Sequence, residues 1–307
     1  MIMKRNNTEN IGENMTQISV AGKMSKRLIT IAEMLRGVEA GNSVTAGLDT
    51  GDSVTGDFDK GDSCAEKGLV VADVGCDHGY VSIYLLQSGI AKGAIAMDVR
   101  KGPLTGAYDN IREYGLEDLI KTRLSDGLKE LSSGEANALI VAGMGGKLMM
   151  RILEEGDPGM LGISQGILQP QSDLDEFRAY LRDKGYIIAD EKVLLDDGKF
   201  YFPMRVVFGD ESLAADRHGR IHDYLHEAMT LLVDKTSCDE TVARHICDRF
   251  GEINILKKDE ILKNYLEHGK EVSESILKTL EDKGHLERAE ELKKDLLEIE
   301  SALLLYR

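Results

Sequence analysis

The chain has 307 residues, of which 42% are hydrophobic and 30% charged, and it contains no tryptophan. This length suits one full α/β domain with a smaller appendage, and no apolar run approaches the roughly 20 residues of a membrane helix. The formal net charge of −16 argues against a protein that binds a polyanion over its whole surface, because phosphate binding depends on lysine and arginine.

Residues 1–24 form a predicted amino-terminal arm that holds basic residues but no apolar stretch behind them. The arm does not resemble a secretion signal, so we expect a cytoplasmic protein with no membrane partner. The stretch SKRLITIAEML then places Leu28, Ile31 and Leu35 at helical spacing behind Ser25, which is a favoured N-cap residue. An amphipathic helix should begin there.

Residues 41–66 carry an acidic repeat. The blocks GNSVTAGLDT, GDSVTGDFDK and GDSCAEKGLV follow one another from Gly41, Gly51 and Gly61. They hold too few apolar residues to bury a core, which predicts a flexible surface insertion. A calcium-binding repeat is an alternative because aspartate and glycine recur, but the spacing fits neither the EF-hand loop nor the nonapeptide repeat.

From residue 69 onward, short apolar runs alternate with helical patterns. The strand-like runs are LVVADVG (69–75), GAIAMDV (93–99), IKTRLSDG (120–127), ANALIVAGMGG (136–146) and GILQPQ (166–171). Because amphipathic helical patterns follow most of them, the alternation predicts a doubly wound, mostly parallel sheet.

The stretch 186–209 differs from this alternation. It contains two β-rich runs joined at Asp196-Asp197-Gly198, which is hairpin chemistry, so the last strand should run antiparallel to its neighbour. A dinucleotide-binding sheet does not need that hairpin, whereas a class I methyltransferase sheet ends in one.

Beyond about residue 211 the pattern changes to polar helix. Two apolar stripes lie on either side of Asp282-Lys283-Gly284, and they comprise Leu262, Tyr265, Leu266, Val272, Ile276 and Leu280, then Leu286, Ala289, Leu292, Leu296, Ile299 and Leu303. The stripes predict two antiparallel helices in a coiled-coil hairpin. Alternatively, these helices pack on the main domain or on a second copy. We therefore expect a main domain at 25–210 and a helical domain at 211–307.

Neither the cysteines nor the histidines form a strong metal signature. No CxxC pair occurs among Cys64, Cys76, Cys238 and Cys247, so they are most simply free thiols. His222 and His226 stand one helical turn apart and would suit a shared metal, but Asp223 occupies the place of the metalloprotease glutamate. We favour a solvated helix face and expect no metal.

The motif DVGCDHG lies where the first predicted strand turns into a helix, at the edge where α/β sheets bind nucleotide-like ligands. It contains Asp73, Gly75, Asp77 and Gly79. A dinucleotide turn faces a phosphate, which Asp77 would repel. S-adenosylmethionine has no phosphate and carries a sulfonium and an ammonium, so carboxylates in this turn favour that methyl donor.

Two further strands also end in an acidic residue. Asp98 follows the second strand, where a carboxylate can accept hydrogen bonds from both ribose hydroxyls. Asp126 and Gly127 close the third strand, where the aspartate can pair with the adenine amino group of the donor. Each position also suits a cap or a turn. Three acidic strand ends in this order nevertheless indicate one site.

The fourth strand ends in IVAGMGGK, with three glycines within four positions. Class I methyltransferases face the group to be methylated at this point, often with an Asn/Asp-Pro-Pro-aromatic motif. Gly143, Met144 and Gly145 supply no such side-chain acceptor. The stretch is not a phosphate-binding P-loop either, because Val141 occupies the first glycine position and Leu148 follows the lysine.

Together, SKRL, DVGCDHGY, DVRKGPLTGAYDNI, SDGL, AGMGG, ILQP and DDGKFY resemble the bacterial tRNA (adenine 22, N1)-methyltransferase family. The resemblance covers roughly residues 25–209, and a helical carboxy-terminal hairpin is in keeping with it. It implies a Rossmann-like class I methyltransferase sheet, S-adenosylmethionine as cofactor and tRNA as partner. The implied reaction is methylation of N1 of an adenine in the D-arm region, by a protein that we expect to be a monomer.

The resemblance also implies roles for individual residues. Asp77 and His78 should neighbour the methyl-transfer centre, and Tyr80 could stack on a base taken out of its helix, although His78 could instead only hydrogen-bond within its turn. The glycines at 143–145 would let a flat base approach the donor. The expected donor-binding residues are Asp73, Gly75, Cys76, Asp77, Gly79, Asp98, Val99, Asp126, Gly127 and Gly143. The expected RNA phosphate contacts are Lys26, Arg27, Arg100, Lys101, Lys147 and Arg151.

This chain departs from the family pattern at three places: Gln171 replaces asparagine after ILQP, the repeats enlarge a connection, and Phe202-Pro203 follow GKFY. Other interpretations are a methyltransferase for a small molecule or protein, and a nucleotide-sensing or scaffold protein whose coiled coil binds a partner. A nicotinamide-dependent oxidoreductase is disfavoured by Asp77 and by the terminal hairpin.

Overall fold

The computed structural model of the chain describes residues 19–36, 68–209, 211–216 and 219–307. Most of the predicted amino-terminal arm and the whole of the predicted acidic insertion at 41–66 lie outside the described residues. The predictions made for those two stretches therefore stay predictions.

A seven-stranded sheet forms the centre of the described part. Its strands are β1 (Val70–Val74), β2 (Gly93–Asp98), β3 (Ile120–Leu124), β4 (Ala138–Met144), β5 (Gln165–Pro170), β6 (Ile187–Glu191) and β9 (Met204–Val207), and the small strands β7 (Leu194–Asp196) and β8 (Lys199–Tyr201) pair separately. The order is β3-β2-β1-β4-β5-β9-β6. Strands β1 to β5 are parallel, and β9 is antiparallel to both β5 and β6. The predicted doubly wound sheet with an antiparallel last strand is confirmed.

The hairpin turn predicted at 196–198 forms, but in another place than expected. It joins β7 to β8 in the separate two-stranded sheet, with Asp197 and Gly198 both at positive φ, as a two-residue hairpin turn requires. The β-rich stretch therefore contains four strands instead of two. The last of them, β9, inserts between β5 and β6.

Ten α-helices accompany the strands in the described part. They are α1 (Lys26–Glu33), α2 (Tyr80–Gln87), α3 (Lys101–Glu113), α4 (Gly146–Gly156), α5 (Leu174–Asp183), α6 (Tyr224–Thr236), α7 (Glu240–Phe250), α8 (Glu252–Leu256), α9 (Glu260–Asp282) and α10 (Leu286–Leu304). Ser25 caps α1 as predicted, since its side chain accepts a hydrogen bond from the backbone N–H of Leu28. None of these helices is long and apolar enough to cross a membrane.

Successive apolar side chains along the central strands point to opposite faces of the sheet, and a hydrophobic core forms on each face. Val71 and Ile140 pack with α1 and α2 on one face, whereas the adjacent Ala72 and Leu139 pack with α4 and α5 on the other. Successive strand side chains point to opposite faces, so a buried strand needs apolar residues at both. The strand ends, which lie outside both cores, are left to carry polar groups.

The carboxy-terminal region contains five helices, α6 to α10, and the two helices predicted from the apolar stripes are the last of them, α9 and α10. The predicted break between the last two is confirmed, because α9 ends at Asp282 and α10 packs back along it from Leu286. Leu262 and Ile299 of the predicted stripes are buried, but Ile276 and Leu286 are largely exposed. The apolar stripes therefore form a core only at the end of the hairpin nearest the other helices, and the coiled-coil character stays a prediction.

A buried ion-pair network connects the sheet to the carboxy-terminal helices. Arg178 of α5 donates from Nε to Glu191 of β6 over 2.7 Å, and neither side chain is exposed to solvent. The same guanidinium donates to the backbone carbonyl oxygens of Asp248 and Arg249 at the end of α7. The backbone N–H of Ile253 donates to the second oxygen of Glu191. Charges at this junction are thus neutralised inside the protein.

The two histidines considered as a metal pair have different surroundings. His222 lies 3.1 Å from a carboxylate oxygen of Asp216 and 3.1 Å from one of Glu227, and both carboxylates raise its pKa. Its ring stacks on Tyr224, while His226 is exposed. His222 is thus engaged in ion pairs when protonated.

Candidate active site

A cavity of about 570 Å³ lies at the carboxyl ends of β1 to β4. It brings together most of the predicted site residues, namely Asp73, Gly75, Cys76, Asp77, His78, Tyr80, Asp98, Val99, Asp126, Gly127, Gly143 and Met144, with Arg27, Arg100 and Arg151. The predicted residues that do not line it are Gly79, Gly145, Lys26, Lys101 and Lys147. Parallel strands end at one edge of the sheet, which is why residues far apart in sequence meet here.

The turn after β1 is fixed to the neighbouring strand. The backbone N–H groups of Gly75 and Cys76 both donate to the carbonyl oxygen of Met97. Gly75 has φ +76°, and a Cβ there would meet the terminal methyl of Met144. Gly79, outside the cavity lining, has φ +71°, and a Cβ there would lie 3.2 Å from the Cβ of Ala107. Their positive φ angles favour glycine at both positions.

Asp73 is the buried carboxylate of the site. Its side chain accepts a hydrogen bond of 2.7 Å from the hydroxyl of Ser82, and burial raises its pKa to about 6. The carboxylate is still mainly ionised at pH 7, yet it is poorly solvated. A cationic group of a ligand would stabilise it, as the sequence predicted.

Asp98 ends β2 and is also buried. One of its oxygens accepts a hydrogen bond of 2.8 Å from the backbone N–H of Arg100, whose Nε lies 3.6 Å away. This bond fixes the orientation of the carboxylate beside the cavity. Val99, the next residue, is 62% exposed at the rim, where an apolar surface can lie against a ligand ring.

Asp126 has partners that the sequence did not indicate. Lys129 lies 2.8 Å and Arg151 3.2 Å from its oxygens, and these cations lower its pKa. Arg151 was predicted to contact RNA phosphate and Asp126 to contact the donor. In the structure these two side chains form an ion pair with each other. Any contact of Asp126 with a donor adenine must share the carboxylate with both cations.

Asp77, His78 and Tyr80 meet at the mouth of the cavity. The carboxylate of Asp77 lies 3.7 Å from Nε2 of His78, and the two side chains are about 60% exposed. The imidazole stacks on the ring of Tyr80 with centroids 5.6 Å apart, and the ammonium of Lys23 lies over the same tyrosine. The side chain of Asn110 donates to the backbone oxygen of His78. Ring surfaces and charges are thus available to a substrate at this mouth.

The glycines that end β4 are partly exposed beside the cavity, and the side chain of Arg27 and the loop before α5 approach them. Gly143 has φ +80° at an irregularity between β4 and β5, and a Cβ there would lie 3.4 Å from a guanidinium nitrogen of Arg27. A Cβ at Gly146 would lie 2.6 Å from the backbone oxygen of Ser172, and one at Gly145 would lie 3.1 Å from its hydroxyl. Gly143 thus stays accessible from the cavity beside Arg27, whereas the loop before α5 packs on Gly145 and Gly146. The approach of a flat base to these glycines stays a prediction.

Arg27 belongs to the inner wall of the cavity. One guanidinium nitrogen donates to the side-chain oxygen of Gln169 over 2.7 Å, and the group lies 5.0 Å from the ring centroid of Tyr201. Its backbone N–H donates to Asp196. The sequence predicts a phosphate contact for Arg27 and no site role for the other three residues, of which Asp196 was expected only in the hairpin turn. They lie in the ILQP and DDGKFY motifs, on which the family resemblance rests. Membership in these motifs is the sequence feature that could have indicated them.

The other predicted phosphate contacts lie around the rim. Lys26, Arg100 and Lys101 are exposed. Lys147 is also exposed but lies 3.5 Å from Glu176 and 3.8 Å from Asp173. Because Lys147 already lies near two carboxylates, contact with an RNA phosphate would stabilise its charge less than it would that of an unpaired lysine.

Residues 62–204 match the family described as a methyltransferase domain. The chain is 38% identical over 149 residues to the tRNA (adenine(22)-N(1))-methyltransferase of Bacillus subtilis (strain 168), a match that covers 48% of this chain and 63% of that relative. The matched part spans about three-fifths of the curated relatives.

Solved structures extend the similarity over the helical region. The Bacillus subtilis m1A22 tRNA methyltransferase TrmK is 25% identical with a TM-score of 0.63, covering 91% of this chain and 98% of that one. Sp1610 of Streptococcus pneumoniae, a candidate tRNA (m1A22) methyltransferase solved with S-adenosyl-L-methionine, is 25% identical with a TM-score of 0.64, covering 91% and 99%. The resemblance indicated by the motifs and the predicted fold class are confirmed.

Proposed function

We propose that this chain transfers a methyl group from S-adenosylmethionine to N1 of an adenine in tRNA, with adenine 22 in the D-arm region as the expected target. The observation that carries the proposal is the row of acidic strand ends, Asp73, Asp98 and Asp126, along one cavity. This row lies in a fold shared with a tRNA (m1A22) methyltransferase and with a protein solved with the methyl donor.

The side chains around the cavity fit this donor. When bound, S-adenosylmethionine supplies an electrophilic methyl group on a sulfonium. Asp98 would hold its ribose hydroxyls and Asp126 its adenine amino group, while the poorly solvated carboxylate of Asp73 would gain from its positive charge. Apolar side chains that can lie beside the adenine are available at Val99 and Ile152.

The chemistry needs little from the protein besides position and charge. N1 of adenine has a free lone pair at neutral pH, so no proton has to leave and no strong general base is required. The methylated ring is cationic, and the exposed carboxylate of Asp77 at the cavity mouth would stabilise it. The stacked rings of His78 and Tyr80 would receive a base taken out of its helix.

We place the RNA phosphate contacts at the rim of the cavity, on Lys26, Arg100 and Lys101. The alternative surface, the α9–α10 hairpin, carries more acidic than basic residues in each helix, which disfavours broad phosphate binding. The division into a domain at 25–210 and a helical domain at 211–307, and a monomeric state, are part of the same proposal. In it, the helical domain contributes to tRNA binding mainly through shape.

The test is methyl transfer from labelled S-adenosylmethionine to unmodified tRNA, followed by nuclease digestion and nucleoside mass analysis. We expect N1-methyladenosine, lost with Asp77→Ala and retained with Asp118→Ala. Asp118 is an exposed aspartate at the opposite edge of the sheet, just before β3. A protein that binds the donor but labels no tRNA would contradict the proposal and leave a small molecule or a protein as the substrate class.

A further inference from the structure

Gln171 carries the only side-chain amide among the described residues that line the cavity. The residue is exposed, and its amide has no hydrogen-bond partner in the described part of the chain. The amide of Gln169, two positions earlier, is engaged within the protein: its oxygen accepts from Arg27 and its nitrogen donates to the backbone oxygen of Pro170. Gln169 thus contributes to the wall of the cavity, whereas Gln171 has a donor and an acceptor available for a ligand.

The backbone that carries this free amide is fixed to the end of β4. The N–H of Gln171 donates to the carbonyl oxygen of Met144 over 2.8 Å. One residue further on, the carbonyl oxygen of Ser172 accepts from the N–H of Gly146 over 3.2 Å. A side chain on a backbone held in this way loses little freedom beyond its own rotamers when it binds a ligand.

The amide also lies beside the bare backbone of Gly143. A Cβ at that glycine would be 3.7 Å from the amide nitrogen of Gln171. The rings of His78 and Tyr80 reach the same cavity from the turn after β1, and β4 lies between β1 and β5 in the sheet. A flat base above Gly143 would therefore have the stacked rings on its β1 side and the amide at its β5 edge.

The reaction decides which edge of an adenine this amide can bind. N1 must keep its lone pair for the methyl group, so a hydrogen-bond donor at N1 would prevent the attack. The Hoogsteen edge offers N6–H as a donor and N7 as an acceptor, and a glutamine amide can pair with both at once. Such a pair leaves N1 free and turns it away from β5, towards the donor side of the cavity.

We infer that Gln171 binds the Hoogsteen edge of the target adenine, accepting from N6–H and donating to N7. This inference rests on the proposed function, because it concerns the base that the reaction methylates. It makes Gln171 the residue that orients the ring in its own plane, while the stacked rings of His78 and Tyr80 hold its face. No charge is needed for this contact, which agrees with the neutrality of the amide.

The test combines variants of the protein with a change of one atom in the base. The substrates are an assembled tRNA with adenosine at the methylated position, and the same tRNA with 7-deazaadenosine there, which has C–H in place of N7 and keeps N1. For the wild type we expect kcat/KM to be about 3- to 10-fold lower with 7-deazaadenosine, the effect of one neutral hydrogen bond. Gln171→Ala should lower kcat/KM for the adenosine substrate about 10- to 100-fold. In that variant the two substrates should react within about twofold of each other.

Two further variants sharpen the test. Gln171→Glu keeps an acceptor for N6–H but places a negative charge against the lone pair of N7. This variant should methylate the 7-deazaadenosine substrate faster than the adenosine substrate, the reverse of the wild type. Asn264→Ala removes an exposed amide on α9, outside the cavity lining, and should keep the preference of the wild type.

Other results would overturn the inference in distinguishable ways. If Gln171→Ala and the 7-deaza change lower kcat/KM by independent factors that multiply, the amide does not contact N7. A loss of S-adenosylhomocysteine affinity in Gln171→Ala, measured by calorimetry, would assign the residue to the donor, and thermal unfolding checks that the variants are folded. A wild type that methylates no adenine in tRNA would contradict the proposed function, and this inference with it.

Discussion

Arg178 and Arg27 both carry a positive charge into the interior, and their surroundings are opposite. Arg178, at the junction with the carboxy-terminal helices, is fully buried against the carboxylate of Glu191 and two backbone oxygens. Arg27, at the cavity, rests on a neutral amide and a tyrosine ring. The junction pairs its charge directly, whereas the guanidinium at the cavity has no direct ion pair with Asp196, the carboxylate that accepts from the backbone N–H of Arg27 and whose pKa Arg27 lowers.

This difference separates residues that stabilise the fold from residues that bind. A buried charge whose partner is in the protein should matter for unfolding and little for ligand affinity once the protein is folded. A buried charge whose partner is in the ligand should show the reverse. Asp73 belongs with Arg27 in this respect, because burial raises its pKa while its only described side-chain partner is the hydroxyl of Ser82.

The largest expected effect is at the junction. Arg178→Met should reduce the free energy of unfolding by about 3 to 5 kcal/mol, because it leaves the carboxylate of Glu191 buried without its cation. Denaturant unfolding measures the loss. The double variant Arg178→Met, Glu191→Leu should recover part of it, since no unpaired charge remains. Arg288→Met, at a 74% exposed pair with Glu291, is the control and should have little effect. A small loss at Arg178 would mean that the junction does not depend on this pair.

The next effect is at the acid of the cavity, where stability and binding should change in opposite directions. The pKa of Asp73 is about 6 in the folded protein against an ordinary value of 3.8, so the folded state binds the extra proton and stability falls as the pH rises from about 4 to about 6. Asp73→Asn should remove this loss and raise the free energy of unfolding above pH 6 by up to about 3 kcal/mol. Below about pH 4 the gain should vanish.

The same substitution should weaken binding of S-adenosylhomocysteine, which calorimetry at pH 7.5 would measure. Unfolding curves at pH 4 and pH 7.5 give the stability part, with the exposed Asp118→Asn as control. If Asp73→Asn destabilises the protein at pH 7.5, the carboxylate supports the fold and does not belong with Arg27.

A smaller effect distinguishes the two uses of glycine. Gly143 and Gly134 have nearly the same φ, +80° and +79°, but a Cβ at 143 would meet Arg27, whereas one at 134 would meet nothing within 4 Å. Alanine at either position should cost about 1 to 2 kcal/mol of stability through backbone strain. Only Gly143→Ala should also place a methyl group in contact with the guanidinium, and so only it should weaken S-adenosylhomocysteine binding, by a small factor. Equal binding by the two variants would show that Arg27 tolerates the methyl group and does not need the bare backbone.

The sequence indicated the acidic side of the cavity far better than its basic side. Asp73 and Asp98 lie at the ends of apolar strands and Asp126 follows β3, and parallel strands bring their ends together, so the order of the strands was enough to place them. Arg27 and Gln169 are 142 positions apart and belong to a helix start and a buried strand end. Polar residues have no such periodicity, and their pairing depends on how α1 packs across β4 and β5. For the same reason the sequence did not predict the ion pair of Arg178 with Glu191. It also did not predict that residues 186–209 form four strands.

The smallest expected effect concerns cations outside the cavity and applies the same distinction to RNA. Lys147 lies 3.5 Å from Glu176, whereas no carboxylate in the described part of the chain lies within ion-pair distance of Lys101. If both lie near tRNA phosphates, Lys101→Gln should lower the slope of log affinity against log salt by about 0.7 to 0.9, the value for one released counterion. Lys147→Gln should lower it by less than half as much, because that lysine already has an acidic neighbour. Filter binding of unmodified tRNA at several salt concentrations measures both slopes. A larger change in slope with Lys147→Gln would mean that the neighbouring carboxylates orient this lysine towards the RNA instead of neutralising it. An ion pair with a carboxylate would then not distinguish, on this surface, lysines that bind RNA from lysines that do not.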